Sequence, residues 1–479
     1  MPNAFAYFML ISWPVVTLAL FRVLPLQNAV VWSLLGGYLI LPSATVIDLP
    51  VLPNLDKTMV SSLSTLALSM IYASKAGLAR DWAGKSGRLV IVALTGLLIA
   101  TPLVTVLQNS EPIISGPRFI PGLGLYDAIS TIVAVMISIV PFWIGLRYLN
   151  TREAHKTLLK AFVFGALIYS LPALAEVRLS PQLHTWVYGF FPHDFAQHIR
   201  AGGFRPIVFL SHGLMLGIFL CMALVSALTL WREALRDGQI ASGWLIAAIW
   251  LAIILFVSKN LAALGIAAVL STLAVFTGRR VQTTFAMVVA AVVVFYPMLR
   301  GAGMIPVDAV YEFAKSVDEE RAESLKFRLE NEDALLEHAN KKPLFGWGSW
   351  GRNQLYDPDT GKMVSVTDGA WVILIGTYGW LGYVAHFGLL TLPIVFYVIR
   401  HNKFGPSLIT PGLMLVLSAT LIDQIPNAGL VSYVWLIAGG LTGYVLWRPD
   451  VAAQEPGWVM AGKGATRRRR RTARQRASE

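Results

Sequence analysis

Seven cationic residues, Arg178, Arg200, Arg205, Lys259, Arg300, Arg328 and Arg352, stand in or beside the polar connections of an otherwise apolar chain. Groups of this kind can hold an anionic ligand such as phosphate, which arginine grips through paired hydrogen bonds and lysine as a point charge. A carboxylate, Asp368, closes the stretch "KKPLFGWGSWGRNQLYDPDTGKMVSVTDGAW" (341–371) at the edge of an apolar run. There it can serve as a base toward a hydroxyl, or as the N-cap of the helix that follows. Trp347 and Trp350 alternate with Gly346, Gly348 and Gly351, a pattern suited to stacking on a sugar ring or to a headgroup-level aromatic belt. His193 and His198, in "FPHDFAQHIR", are alternative bases, read as solvated loop histidines. Asp357 and Asp359 mimic a D-x-D metal motif, but turn chemistry explains them better.

The elements that position these groups are set by composition. The 479 residues are 56% hydrophobic and 14% charged, against about 25% charged for a soluble domain. This composition predicts a polytopic, all-α membrane protein. Apolar runs near the roughly 20 residues needed to cross a bilayer fall at 5–22, 28–46, 57–74, 88–107, 125–146, 157–176, 206–230, 241–257, 261–277, 282–298, 371–398, 408–423 and 429–447. The first lacks the basic start and small-residue cleavage site of a signal peptide and reads as a retained span. Cys221 lies inside a run, reads as packing, and as the single cysteine can form no intrachain disulfide.

Basic clusters mark alternate connections: Lys75/Arg80/Lys85/Arg88, Arg147/Arg152/Lys156, Arg232/Arg236, Arg279/Arg280, Arg400/Lys403 and the C-terminal tail. Two runs separate each neighbouring pair, so all six can face the cytoplasm together. The connections 177–205, 258–260 and 299–370 then lie outside. Thirteen spans place the N-terminus outside as well; twelve, with one re-entrant segment, place it inside. Charge is scarce within the runs and concentrated at the outer interface, unlike the intramembrane relays of ion-coupled transporters. The chain divides into a bundle of about ten spans (1–298), a large outer loop (299–370), C-terminal spans (371–447) and a basic tail (448–479). From Lys463 onward the tail carries +7 of the net +12. It reads as a disordered cytoplasmic anchor, with adhesion to anionic lipid as the functional alternative; nucleic-acid binding fits a membrane-embedded chain least.

Within the outer loop, 308–340 is rich in helix formers, and Leu325, Leu329, Leu335 and Leu336 offer an apolar face for one or two amphipathic helices. Pro343 ends that segment. "LYDPDTGKMVSVTD" predicts a small hairpin turning at Pro358 to Gly361.

Three patches carry a family resemblance. They are "RAGGFRPIVFLSHGLMLGIFL" (200–220), "LFVSKNLAALGIAAVL" (255–270), and "SLKFRLENEDALLEHANKKPLFGWGSWGR" followed by "DGAWVILIGTYGWLGYVAHFGLL". In this order they resemble the bacterial O-antigen ligase and polymerase superfamily: an arginine- and glycine-containing start of a mid-chain span, then a Ser-Arg-Gly-like pattern with Lys259 for the arginine. The third matches Pro-x-x-Gly-x-Gly before a span carrying Gly-x-x-Gly (Gly379–Gly382). The resemblance covers roughly 200–445; earlier residues share only hydropathy.

That resemblance implies an inner-membrane glycosyltransferase of the all-helical, lipid-linked-donor type, with a periplasmic loop and a cytoplasmic C-terminus. It implies a polyprenyl-diphosphate-linked oligosaccharide as donor, a polysaccharide or lipid-linked acceptor, and a chain-length regulator and a flippase as partners, with no required metal or other cofactor. On this reading Arg200, Arg205 and Lys259 face the diphosphate, Arg328 and Arg352 close over the donor, and Asp368 activates the acceptor. Ligases of the group place a histidine where this chain has Asp368. The departure favours a polymerase over a ligase joining glycan to the lipid A core. A flippase of lipid-linked oligosaccharide is the competing class, disfavoured by the bulky loop and the charge-poor spans.

Overall fold

A computed structural model describes residues 1–48, 54–75, 85–200, 202–317 and 319–446. Each of the thirteen apolar runs is a helix: α1 (Ala4–Val23), α2 (Leu26–Ile40), α3 (Lys57–Lys75), α4 (Lys85–Leu107), α5 (Leu125–Tyr148) and α6 (Arg152–Leu179). After a short α7 (Leu183–Tyr188) come α8 (Gly213–Arg236), α9 (Ser242–Val257), α10 (Leu261–Phe276) and α11 (Arg279–Gly301). The large loop holds α12 (Val307–Val317) and α13 (Glu319–Ala339), and the chain returns through α14 (Ala370–Ile399), α15 (Ile409–Asp423) and α16 (Ser432–Leu446). Seven of these helices, α1, α4, α5, α6, α8, α11 and α14, are long and apolar enough to cross a membrane; α2, α9, α10, α15 and α16 are apolar but shorter. The protein is a multi-pass, all-α membrane protein.

The core is built on α8, α15 and α16, whose residues are buried almost without interruption. The outer helices keep large apolar side chains exposed, among them Phe8 and Ile11 on α1 and Ile246, Ile253 and Phe256 on α9. That is the distribution a lipid-facing shell requires. Helices α5 and α16 meet backbone to backbone, because a side chain at Gly439 would strike the Phe142 carbonyl and one at Gly443 that of Leu146; small residues serve this purpose between membrane helices. Helix α3 carries serine and threonine among its apolar residues, yet Ser61, Ser64 and Thr65 return their hydroxyls to carbonyls four residues earlier.

Asn3 caps α1 and also bonds the Val187 and Tyr188 carbonyls of the α6–α8 connection. The N-terminus and that connection therefore share one end of the bundle. At the opposite end Arg232 bonds the last carbonyls of α10, Arg236 the Pro406 carbonyl, Arg279 those of Phe404 and Gly405, and Arg400 that of Val445. The basic connections thus gather at a single end, as their spacing predicts. Arg80 and the tail lie outside the described residues.

Two hairpins add the only strands among the described residues: β1 (Ile113–Ser115) with β2 (Arg118–Ile120), and β3 (Ile199–Arg200) with β4 (Gly203–Phe204).

Candidate functional site

The glycine-jointed loop is a wedge. Helix α14 is broken at Gly379, whose φ of 68° and ψ of −174° leave the helical region, and a break frees backbone groups that an apolar interior cannot solvate. The loop supplies their partners. Trp347 N–H donates to the Gly376 carbonyl at 2.8 Å and Gly348 N–H to that of Thr377 at 3.0 Å. In return Trp380 N–H donates to the Pro343 carbonyl at 2.8 Å. The two chains approach so closely that a side chain at Gly379 would collide with the Leu344 backbone, and one at Gly346 with that of Thr377. Thr105 and Asn109, at the end of α4, bond the Phe345 and Gly346 carbonyls.

Most of the loop's conspicuous residues serve this wedge. Arg352, expected to close over a substrate, is fully buried. Its guanidinium donates to the carbonyls of Trp347 (3.2 Å), Pro121 (2.8 Å) and Glu111 (2.9 Å), and so ties the wedge to the α4–α5 connection. This assignment is corrected: every donor direction Arg352 uses is directed to backbone. The Trp347 indole donates to the His338 carbonyl at 2.9 Å, its ring stacks on the His338 ring at 4.4 Å, and Lys342 lies over it at 4.7 Å. Its ring faces are engaged within the protein. Trp350 alone of the two remains open, 55% exposed. The predicted hairpin forms as a bridge between Tyr356 and Met363. Asp357 caps its turn by accepting from the Asp359 and Thr360 N–H groups. The β1–β2 hairpin leans on that turn, with Ser115 donating to the Asp357 carbonyl and Arg118 over the Tyr356 ring.

At the head of α14 the chemistry differs. Gly369 is the N-cap and gives no side-chain bond. Asp368 turns instead to Arg328 of α13, Oδ2 to Nε at 3.2 Å; the N-cap reading is replaced by an ion pair. One turn further along α13, Asp333 pairs with Arg300 of α11 at 2.9 Å, and the same guanidinium bonds the Leu329 carbonyl at 3.1 Å. Between these two pairs sits Glu332, 7% exposed. Burial raises its carboxyl to about 7; the nearby charges of Asp333 and Asp368 push the same way and that of Arg300 opposes. Tyr296 and Trp371 complete the surroundings, their rings 5.3 Å apart edge to face. Among the described residues Glu332 Oε2, Arg300 Nε and Trp371 Nε1 are buried without a hydrogen-bond partner. Buried polar atoms left in that state are rare and call for an account.

A third constellation stands at the head of α8. Arg205 is half-buried, packs its methylenes on Gly213, and donates to the Lys259 carbonyl at 3.4 Å. Lys259 has a left-handed backbone (φ 57°) that turns its ammonium onto Gly203. Beside them lie three histidine rings: His212 is 4.7 Å from His193 and 4.8 Å from His198. His198 is fully buried, which overturns the solvated reading, and His212 caps α8 by accepting from Leu214 N–H at 3.0 Å. The loop is pinned by Glu176 of α6, whose carboxylate accepts from the N–H groups of Leu183, Ile207 and Val208. The backbone of Arg200 pairs with Gly203 in the β3–β4 hairpin, while its side chain lies outside the described residues.

The structure therefore brings Arg205 to Lys259 and Arg328 to Asp368, and assigns Arg352 and Trp347 to the wedge. The two heads are linked through the α15–α16 connection: Ala370 N–H donates to the Gln424 and Asn427 carbonyls, and a side chain at Gly429 would meet Met215 of α8. Sequence reasoning missed Glu332, Trp371 and His212 as site residues and read Arg300 only as one cation among several. Glu332 is one acid among many on α13, and only its packing against α14 distinguishes it. Among the described residues no group of three or more His, Cys, Asp or Glu side chains is placed to hold a metal ion. No family model matches this sequence, and no curated protein matches it.

Proposed function

We propose that this chain is a bacterial inner-membrane glycosyltransferase of the all-helical, lipid-linked-donor type, which moves a glycan from a polyprenyl diphosphate carrier onto a growing polysaccharide. One observation carries the reading. At a single end of the bundle, a cationic, histidine-lined head on α8 stands beside a carboxylate–arginine head on α14, with a tryptophan–glycine wedge locking the second. The first has the chemistry of a diphosphate seat. Arg205 and Lys259 supply positive charge where a departing diphosphate develops negative charge. The second has the chemistry to orient an acceptor hydroxyl and take its proton. The end that holds both is the periplasmic one, with the basic end and the C-terminus in the cytoplasm.

The test is genetic and biochemical. A deletion strain should accumulate single repeat units on lipid carriers and lack long chains. Arg205→Ala should restore membrane-inserted protein and no polymer. Long chains made at the normal level by Arg205→Ala would overturn the assignment. A missing cap on lipid A with chain length unaltered would mark a ligase, and lipid-linked units held on the inner leaflet a flippase.

A further inference from the structure

The head of α14 holds three carboxyl groups and two guanidinium groups. Arg328 is matched with Asp368 and Arg300 with Asp333, each within salt-bridge distance. Glu332 is left without a cation of its own, although it is the most buried of the three acids. The groups that face it are Tyr296 and Arg300 from α11, Asp333 from its own helix, Asp368 (itself held by Arg328) from the connection, and Trp371 from α14. A structural acid in such a place would be closed off by donors, as Glu176 is by three backbone N–H groups. The Trp371 indole, 1% exposed, and the Tyr296 hydroxyl face the Glu332 carboxyl, yet among the described residues neither Glu332 Oε2 nor the Trp371 N–H completes a well-formed hydrogen bond.

A group set between them would accept from the indole and donate to the carboxylate. A hydroxyl does both. We propose, resting on the glycosyltransferase reading, that Glu332 is the proton acceptor of the transfer and that Glu332 and Trp371 together seat the acceptor sugar's hydroxyl. Asp368 is the poorer candidate, because its carboxylate is already held by Arg328 at 3.2 Å. In the step, the acceptor oxygen forms its bond to the donor's anomeric carbon as the bond from that carbon to the diphosphate oxygen breaks. The bonding pair leaves with the diphosphate, and the hydroxyl proton passes to Glu332 Oε2. Asp333 and Asp368 are engaged by Arg300 and Arg328, which leaves Glu332 as the carboxyl of the three without a cation of its own.

Two measurements on the full-length protein test this separately. Infrared difference spectra of the purified protein in detergent, between about pH 5 and about pH 9, should show a buried-carboxyl signal near neutrality that Glu332→Gln removes. In the complemented deletion strain, Glu332→Gln should cut polymer by about 100-fold or more with membrane levels unchanged, and Glu332→Asp should recover part of it. In membranes the wild-type rate should climb through neutral pH while the residual Glu332→Gln rate stays flat. Near-normal polymer from Glu332→Gln, or a carboxyl signal near neutrality that Glu332→Gln leaves unchanged, overturns the assignment. If Glu332→Gln is active and Arg205→Ala is dead, only the base is wrong. If both are active, the glycosyltransferase reading falls with it.

Discussion

Two regions of α14 lie about two turns apart and treat polarity in opposite ways. At the kink, the break at Gly379 exposes backbone groups to an apolar interior, and the loop 343–348 answers them nearly one for one. The side chains that hold the loop are satisfied too: Arg352 by three carbonyls, Trp347 by the His338 carbonyl, Asn109 by that of Gly346. At the head, Glu332 Oε2, Arg300 Nε and the Trp371 indole nitrogen are buried near one another without a well-formed hydrogen bond, although indole and carboxyl face each other. Leaving such groups unpaired costs about 1–3 kcal/mol each. A fold that closes every bond at the kink and leaves these open at the head is built for assembly in one place and for a visitor in the other.

The largest way to break that contrast is at the kink. Arg352→Met keeps the length and apolar stem but strands three carbonyls in a buried place, so stability should fall by about 3 kcal/mol or more. The loss should appear as a lowered thermal midpoint in detergent and early proteolysis between α13 and α14. A variant that melts like the parent would show that the wedge does not depend on this clamp. At the head the sign reverses. Glu332 has its carboxyl raised from the usual 4.5 to about 7 in the folded protein. Its favourable contribution is complete below about 4.5 and is lost as pH rises through about 7. Glu332→Gln removes that loss, so above neutrality it should exceed the parent by roughly 3 kcal/mol. Below about 4.5 the two should converge. A variant less stable than the parent at pH 8 would make Glu332 a structural acid. A gain in stability with a loss of polymer is the signature of a residue kept for its chemistry.

The helices were readable because hydropathy and the placement of Arg and Lys are local quantities: all thirteen runs became helices, and the basic connections came to one end. Turn chemistry was local as well, so Asp357 and the Tyr356–Met363 hairpin could be foreseen. The β1–β2 hairpin, in "IISGPRFI", carried its own Gly-Pro turn signal and was passed over as a connection. Partners far apart in the chain were not legible. Nothing near Arg352 reveals that its acceptors are the carbonyls of Glu111 and Pro121, 241 and 231 residues away. Glu332 belongs to an evenly charged helix whose packing on α14 alone decides which acid is buried. His198 and His212 are fourteen residues apart on either side of the β4 strand, outside helical spacing, and only the fold of that loop brings them together with His193.

The smallest test also separates the two regions by pH. The His338 ring lies nearly parallel to that of Trp347, 9° between planes, and burial holds its protonation below the usual 6.5, with Lys341 adding to the effect. A base depressed in this way contributes stability above 6.5 that is lost as pH falls. Acid should therefore loosen the wedge, while alkali weakens the head through Glu332. Trp347→Phe keeps a ring for His338 to stack on but removes the N–H bonded to the His338 carbonyl, a loss of about 1 kcal/mol. It should make the loop 341–369 more accessible to protease on the acid side and leave the alkaline response of the head untouched. If protection fell equally at both extremes of pH, kink and head would be one cooperative unit, and the contrast between a closed joint and an open seat would have to be given up.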